Sequence, residues 1–171
     1  MRRGGGLDVI RTIGDHGGMV KIDERAVVPP VDEAARERLA EALDRDGVVA
    51  AMLIGSQARG TAGPLSDVDI AYWHDPGLAR DESWGLRLAL IGAAEEALRT
   101  SEVDLVALNE APPLLRHRAI RDAESLVERD RDERVRLETR ALLDYFDTMP
   151  LRAALQAGVK RRLKEDRFGR R

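Results

Sequence analysis

The residues best equipped for chemistry fall in one stretch, Gly55-Ser56-Gln57-Ala58-Arg59-Gly60 followed by Ser66-Asp67-Val68-Asp69. Ten residues separate Ser56 from Asp67, giving the pattern G-S-x10-D-x-D. Carboxylates two apart on an extended chain point to the same side, and such a pair repels itself unless a cation neutralises it. A divalent metal is the economical explanation. Hard oxygen ligands without a Cys or His cluster select Mg2+ or Mn2+ over zinc. Upstream, Gly55 permits a sharp turn and close approach to a ligand, while Ser56 offers a hydroxyl and a backbone N–H at the start of a helical turn, a natural phosphate seat. Arg59 adds a fixed positive charge a turn later. A phosphate seat beside a metal-binding carboxylate pair is the equipment of phosphoryl or nucleotidyl transfer. Asp104 is the best third carboxylate, with Glu102 a nearby competitor.

These residues must be held by a framework, and the apolar pattern supplies one. From Asp32, a candidate N-cap, the residues Ala35, Leu39, Ala42 and Leu43 share a helical face that Gly47 ends, a helix of about 15 residues. Val48 to Ile54 is a continuous apolar run suited to a strand buried on both faces, and it delivers the chain to Gly55. Ser66 to Tyr72 alternates with the period of a strand, placing Asp67 and Asp69 on one face. Trp84, Leu88, Ile91, Ala94 and Leu98 mark a second amphipathic helix, with Trp84 and Tyr72 read as core. Val103 to Leu108 is a third strand, and Pro112-Pro113 opens a short helix to about Asp122. Ser125 to Glu128 adds a short strand. Two helices follow, at about 131–147 (Val135, Leu142, Leu143, Phe146) and 151–166 (Leu151, Leu155, Val159, Leu163). The fold class is α/β in the α+β sense, a small mixed sheet flanked by helices.

Composition narrows the function. The 171 residues suit one domain with appendages, and the absence of cysteine excludes disulfides, Cys-ligated zinc and thiol nucleophiles. No apolar run approaches the roughly 20 residues that span a bilayer, so no membrane association is expected, and a cytoplasmic location is the default. The expected division is an extension over 1–30, a catalytic domain over 31–148 and a basic helix over 149–171, with a short strand at Val20 to Val28. Residues 151–171 hold eight basic residues against Glu165 and Asp166, a net +6, so the total of −3 leaves −9 on residues 1–150. The basic tail reads first as a solvated helix face. The three histidines, His16, His74 and His117, fall at no metal-ligand spacing and read as surface residues, with His117 between two arginines also suited to a partner interface.

At the Gly-Ser and D-x-D residues the sequence resembles the nucleotidyltransferase superfamily that includes DNA polymerase beta. More narrowly, Gly55-Ser56-Gln57-Ala58-Arg59-Gly60 resembles the G-S-x-A-R-G form of the minimal nucleotidyltransferase (MNT) antitoxins, which pair with HEPN-domain toxins. Arg116-His117-Arg118, Leu142 to Asp147 and Lys164 to Gly169 resemble the C-terminal part of these proteins. The resemblance implies a polymerase beta-like fold with C-terminal helices, nucleotide contacts from Gly55, Ser56 and Arg59, and metal binding by Asp67, Asp69 and Asp104 with Asp104 activating the acceptor. It further implies a two-metal Mg2+ site, ATP as substrate, AMP transfer to a tyrosine hydroxyl of a HEPN ribonuclease toxin, and a hetero-oligomer with that toxin rather than a nucleic-acid partner. Whether Arg59 touches the nucleotide or braces the loop stays open. The alternatives are transfer to a small molecule such as an aminoglycoside, and an antitoxin that acts by binding alone.

Overall fold

The computed structural model describes residues 28–164. The order of elements is α1 (Glu33–Leu43), β1 (Val48–Leu53), α2 (Gly55–Ala58), β2 (Val68–His74), α3 (Arg80–Leu98), β3 (Val103–Ala107), α4 (Pro113–Arg121), β4 (Glu124–Glu128) and α5 (Arg131–Lys164). The four strands form one sheet in the order β3-β2-β1-β4. β1 runs antiparallel to both β2 and β4, whereas β2 and β3 are parallel, so the sheet is mixed as expected.

Burial follows from the sequence pattern. Every residue of β1 is buried, as its unbroken apolar run requires for a central strand. One sheet face carries Leu53, Val68, Ile70, Tyr72 and Leu105 against Leu39 and Leu43 of α1 and Leu90 and Ala94 of α3. The other carries Met52, Ala71 and Trp73 against Ala119 of α4 and Ala141 of α5. Asp32 caps α1, its Oδ1 accepting the Ala35 N–H at 2.8 Å. The helix ends at Leu43, before the expected Gly47, which instead holds a turn at φ +85° ahead of β1.

Three expectations are corrected. The two C-terminal helices are a single 34-residue helix, α5, with Pro150 inside it, so the expected division at residue 148 falls within one element. Pro150 has no N–H to donate to the preceding turn. Side chains brace the turn before it: Thr148 Oγ1 donates to the Asp144 carbonyl at 2.8 Å, and Arg152 Nη2 donates to the Tyr145 carbonyl at 2.9 Å. Trp84 is 57% exposed, because α3 turns Ser83, Leu90, Ala93 and Ala94 inward and leaves Trp84 beneath the Arg87 guanidinium. His74 is buried at the end of β2, where Asn109 brackets its backbone: the His74 N–H donates to Asn109 Oδ1 and Asn109 Nδ2 donates to the His74 carbonyl, both at 3.0 Å. The expected strand at Val20 to Val28 lies, but for Val28, outside the described residues, as does His16.

Candidate active site

The carboxylates are assembled by strand register. Asp67 immediately precedes β2, Asp69 lies within it, and Asp69 pairs directly with Asp104 across the parallel β2–β3 ladder. Directly paired residues project to the same side of a sheet. Val68, Ile70 and Tyr72 face the α1–α3 layer, so alternation turns Asp69 toward the side covered by α4 and α5. Asp67 and Asp69 are half-buried and Asp104 is exposed, which grades the cluster from the protein interior to solvent.

Electrostatics record the convergence. Burial holds the Asp69 carboxyl above the usual carboxylate range, the charges of Asp104 and Asp67 push it further up, and Arg59 partly offsets them. Asp67, Asp104 and Arg59 therefore all act on Asp69. Glu102, the alternative third carboxylate, exerts no comparable influence on Asp69.

The turn after β1 completes the site. Gly55 opens the one-turn helix α2 at φ +70°, and a Cβ there would stand 2.1 Å from Asp69 Oδ2. Only glycine lets the carboxylate lie against this backbone. The Ile54 N–H donates to the Asp69 carbonyl at 2.9 Å, locking the turn to β2, and the Thr61 N–H donates to the Ser56 carbonyl at 2.9 Å, closing the loop behind the serine. Arg59, half-exposed, lies 3.9 Å from Asp122, the residue that follows α4.

Two contributors escape the motif. Gln57 is buried and accepts the Val31 N–H on Oε1 at 3.1 Å, tying the site loop to the chain entering α1. Asp122 joins Arg59 to Arg121, which it meets at 2.6 Å. Gln57 fills the variable position of G-S-x-A-R-G and Asp122 is far away in sequence, so only the fold shows their part.

Among the described residues, no three His, Cys, Asp or Glu side chains form a ready-made metal cage. The donor set nevertheless suits a hard divalent cation: carboxylate oxygens, mutually repulsive and partly desolvated, whose strain a cation would relieve. Magnesium commonly takes one or two carboxylates and completes its shell with water and substrate phosphates, so a closed protein cage is not required.

The comparisons with known proteins agree with this geometry. The pattern of the family described as Polymerase beta, Nucleotidyltransferase matches residues 37–132. A crystal structure of a toxin–antitoxin with AMP-PNP superposes with a TM-score of 0.58 at 24% identity, covering 73% of this chain and 98% of its own. A crystal structure of the toxin–antitoxin MntA-HepT gives 0.55 at 21% identity, over 75% of this chain and 99% of its own. The complex of tri-AMPylated Shewanella oneidensis HEPN toxin with MNT antitoxin gives 0.54 at 21% identity, over 74% of this chain and 96% of its own. No curated protein matches the sequence. The family pattern spans more than half of the 171 residues and contains the whole loop and all three carboxylates, so this chain belongs to the polymerase beta nucleotidyltransferase family.

Proposed function

We propose that this chain is an antitoxin that transfers AMP from ATP to a tyrosine hydroxyl of a HEPN ribonuclease toxin and thereby silences it. The observation that carries the transferase reading is the Asp69–Asp104 register pair beside Gly55, which puts three carboxylates next to the Gly55–Ser56 turn. Two considerations favour a protein acceptor in an antitoxin pair. The three similar solved structures described above are of toxin–antitoxin pairs, one with AMP-PNP and one with an AMPylated toxin. In addition, α5 exposes a long series of large apolar side chains, among them Leu143, Phe146, Leu151 and Leu155, more than a helix in water needs.

In this reading the Gly55–Ser56 turn holds the β- and γ-phosphates, with Ser56 supplying a hydroxyl and a backbone N–H. Asp67 and Asp69 would hold Mg2+, with Asp104 at its exposed edge. When bound, the metal supplies charge stabilisation on the phosphate oxygens and lowers the acceptor's pKa. Asp104 receives the tyrosine proton as the phenolic oxygen bonds to the α-phosphorus. The bond from that phosphorus to the bridging oxygen breaks, and pyrophosphate leaves. Arg59 balances the carboxylates against the incoming negative charge.

The test is incubation of the chain with labelled ATP, Mg2+ and the product of the neighbouring gene. Label should appear on that partner, and its absence with Asp67 and Asp69 intact would sink the reading. The double change Asp67→Ala with Asp69→Ala should lower transfer on the order of a thousandfold. If neutralisation of the toxin survives that change, binding alone is the mechanism.

A further inference from the structure

A groove of about 330 Å3 runs between α4 and α5 on the sheet face that also carries the carboxylates. His117, Arg118 and Arg121 line one wall, and Tyr145, Met149 and Arg152 line the other. The α5 wall from Tyr145 to Gln156 is roughly 16 Å long at the helical rise.

The walls are fixed in advance. Tyr145 is held on both faces: the His117 ring stacks on it with centroids 3.9 Å apart and planes 9° from parallel, and the Arg152 guanidinium lies 4.2 Å from its centroid. Arg152 also donates to Thr148 Oγ1 and to the Tyr145 carbonyl. Arg116 crosses between the helices, donating to the Ala111 carbonyl at 2.6 Å and to Asp144 Oδ2 at 3.2 Å. The charge, by contrast, is only partly consumed. Asp122 engages Arg121, while Arg118 is exposed and has no hydrogen-bond or ion-pair partner among the described residues. Arg118 therefore keeps its charge for a ligand, on a cleft that Arg121 and Arg152 also line, and such a concentration of cations favours an anion.

The groove also continues the site. Asp122 touches Arg121 at its rim and Arg59 on the catalytic loop, so one carboxylate bridges the groove to the phosphate seat. We infer that the α4–α5 groove is a second phosphate-binding site, which takes phosphate groups of a nucleotide ligand that extends beyond the transfer centre. The inference rests on the transferase reading for the ligand's identity. Two sources share this chemistry: the polyphosphate tail of the incoming nucleotide, and the phosphodiesters of nucleotides already joined to the acceptor. Phosphate is favoured over the carboxylates of an acidic protein segment because the groove prolongs the seat proposed for the triphosphate.

The test uses the full chain in EDTA, where no transfer occurs, with fluorescent 5′-phosphorylated triadenylate as probe and ATP, tripolyphosphate and a polyglutamate peptide as competitors. Arg118→Glu should weaken phosphate binding by at least about tenfold at low salt, and Arg118→Lys should retain most of it. Unchanged melting of both variants would show that folding is intact. Weakening confined to triadenylate assigns the groove to nucleotides already transferred, whereas equal weakening of ATP assigns it to the incoming tail. Undiminished binding by Arg118→Glu would overturn the proposal, as would polyglutamate competing as well as triadenylate, which makes the groove a protein-docking surface. Repeating the measurement in the chain carrying Asp67→Ala and Asp69→Ala separates the two readings: binding should persist there even though transfer is lost.

Discussion

The two helical layers on the sheet divide stability from chemistry. On one side α1 and α3 seal the sheet with large apolar side chains, Leu39, Leu43 and Leu90 being fully buried. On the other side α4 and α5 meet it through the small buried residues Ala119 and Ala141, and leave room for the carboxylates and the arginine groove. A half-buried cluster of like charges costs free energy, so the molecule can hold one only where the opposite layer stabilises the sheet independently. Leu39→Ala tests that division most severely. It should cost about 2–5 kcal/mol in denaturant unfolding, while Leu143→Ala on α5, 54% exposed, should stay within about 0.5 kcal/mol. Comparable losses from both would mean that α5 carries the core as much as α1 does.

Gly55→Ala strikes the charged face with a single methyl group. The new Cβ would collide with Asp69 Oδ2 in a backbone conformation that side chains rarely adopt, so the carboxylate must move. Displacing it by about an ångström should lower nucleotidyl transfer at least about a hundredfold. Stability should fall by about 1–3 kcal/mol from the strain. Initial rates alongside thermal melts measure both, and a near-normal rate would mean that the Gly55–Asp69 contact has no part in transfer.

The charged face was more legible in the sequence than the helices that surround it. G-S-x10-D-x-D names residues whose chemistry depends on short-range spacing, and alternation along Ser66 to Tyr72 was enough to put Asp67 and Asp69 together. Asp104 needed one further step, the parallel pairing of β2 with β3, which an apolar strand next to the carboxylate strand suggested. The helices around the charged face follow side-chain contacts that the apolar pattern does not reveal. Pro150 looks like a helix end, yet α5 runs through it, with Thr148 and Arg152 bracing the turn before it at the Asp144 and Tyr145 carbonyls. Trp84 shares a helical period with Ala94, but α3 is rotated so that Leu90 and Ala93 take the core. His74 is buried at the end of β2, where Asn109, 35 residues away, brackets its backbone.

Titration offers a finer probe of the same division. Because Asp69 has a raised pKa in the folded state, that state holds the proton to higher pH than the unfolded chain does. Its stabilising contribution is therefore present below the ordinary carboxylate range and is lost as pH rises through the native value. Asn mimics the protonated form, so Asp69→Asn should raise the melting temperature of the metal-free protein at neutral pH. The gap to the unaltered chain should close as pH falls. A variant less stable than the parent at pH 7 would show that the carboxylate is held by favourable contacts and not by compulsion, and Mg2+ should then fail to stabilise the parent.

The smallest effect is expected where charge sits outside both the core and the site. Arg129, just past β4, meets Asp44 at 3.0 Å and Asp46 at 2.7 Å in the turn after α1, and both acids are well exposed. Water and salt screen such pairs, and ordering the side chains offsets what attraction remains. The Arg129 backbone is separately anchored, its N–H donating to the Val49 carbonyl at 2.9 Å, so removing the guanidinium leaves the strand end in place. Arg129→Ala should thus leave the denaturation midpoint unchanged at physiological salt and lower it only slightly at low salt. A clear loss at both ionic strengths would break the division drawn between the two layers, because surface charge would then be holding α1 to the sheet alongside Leu39 and Leu43.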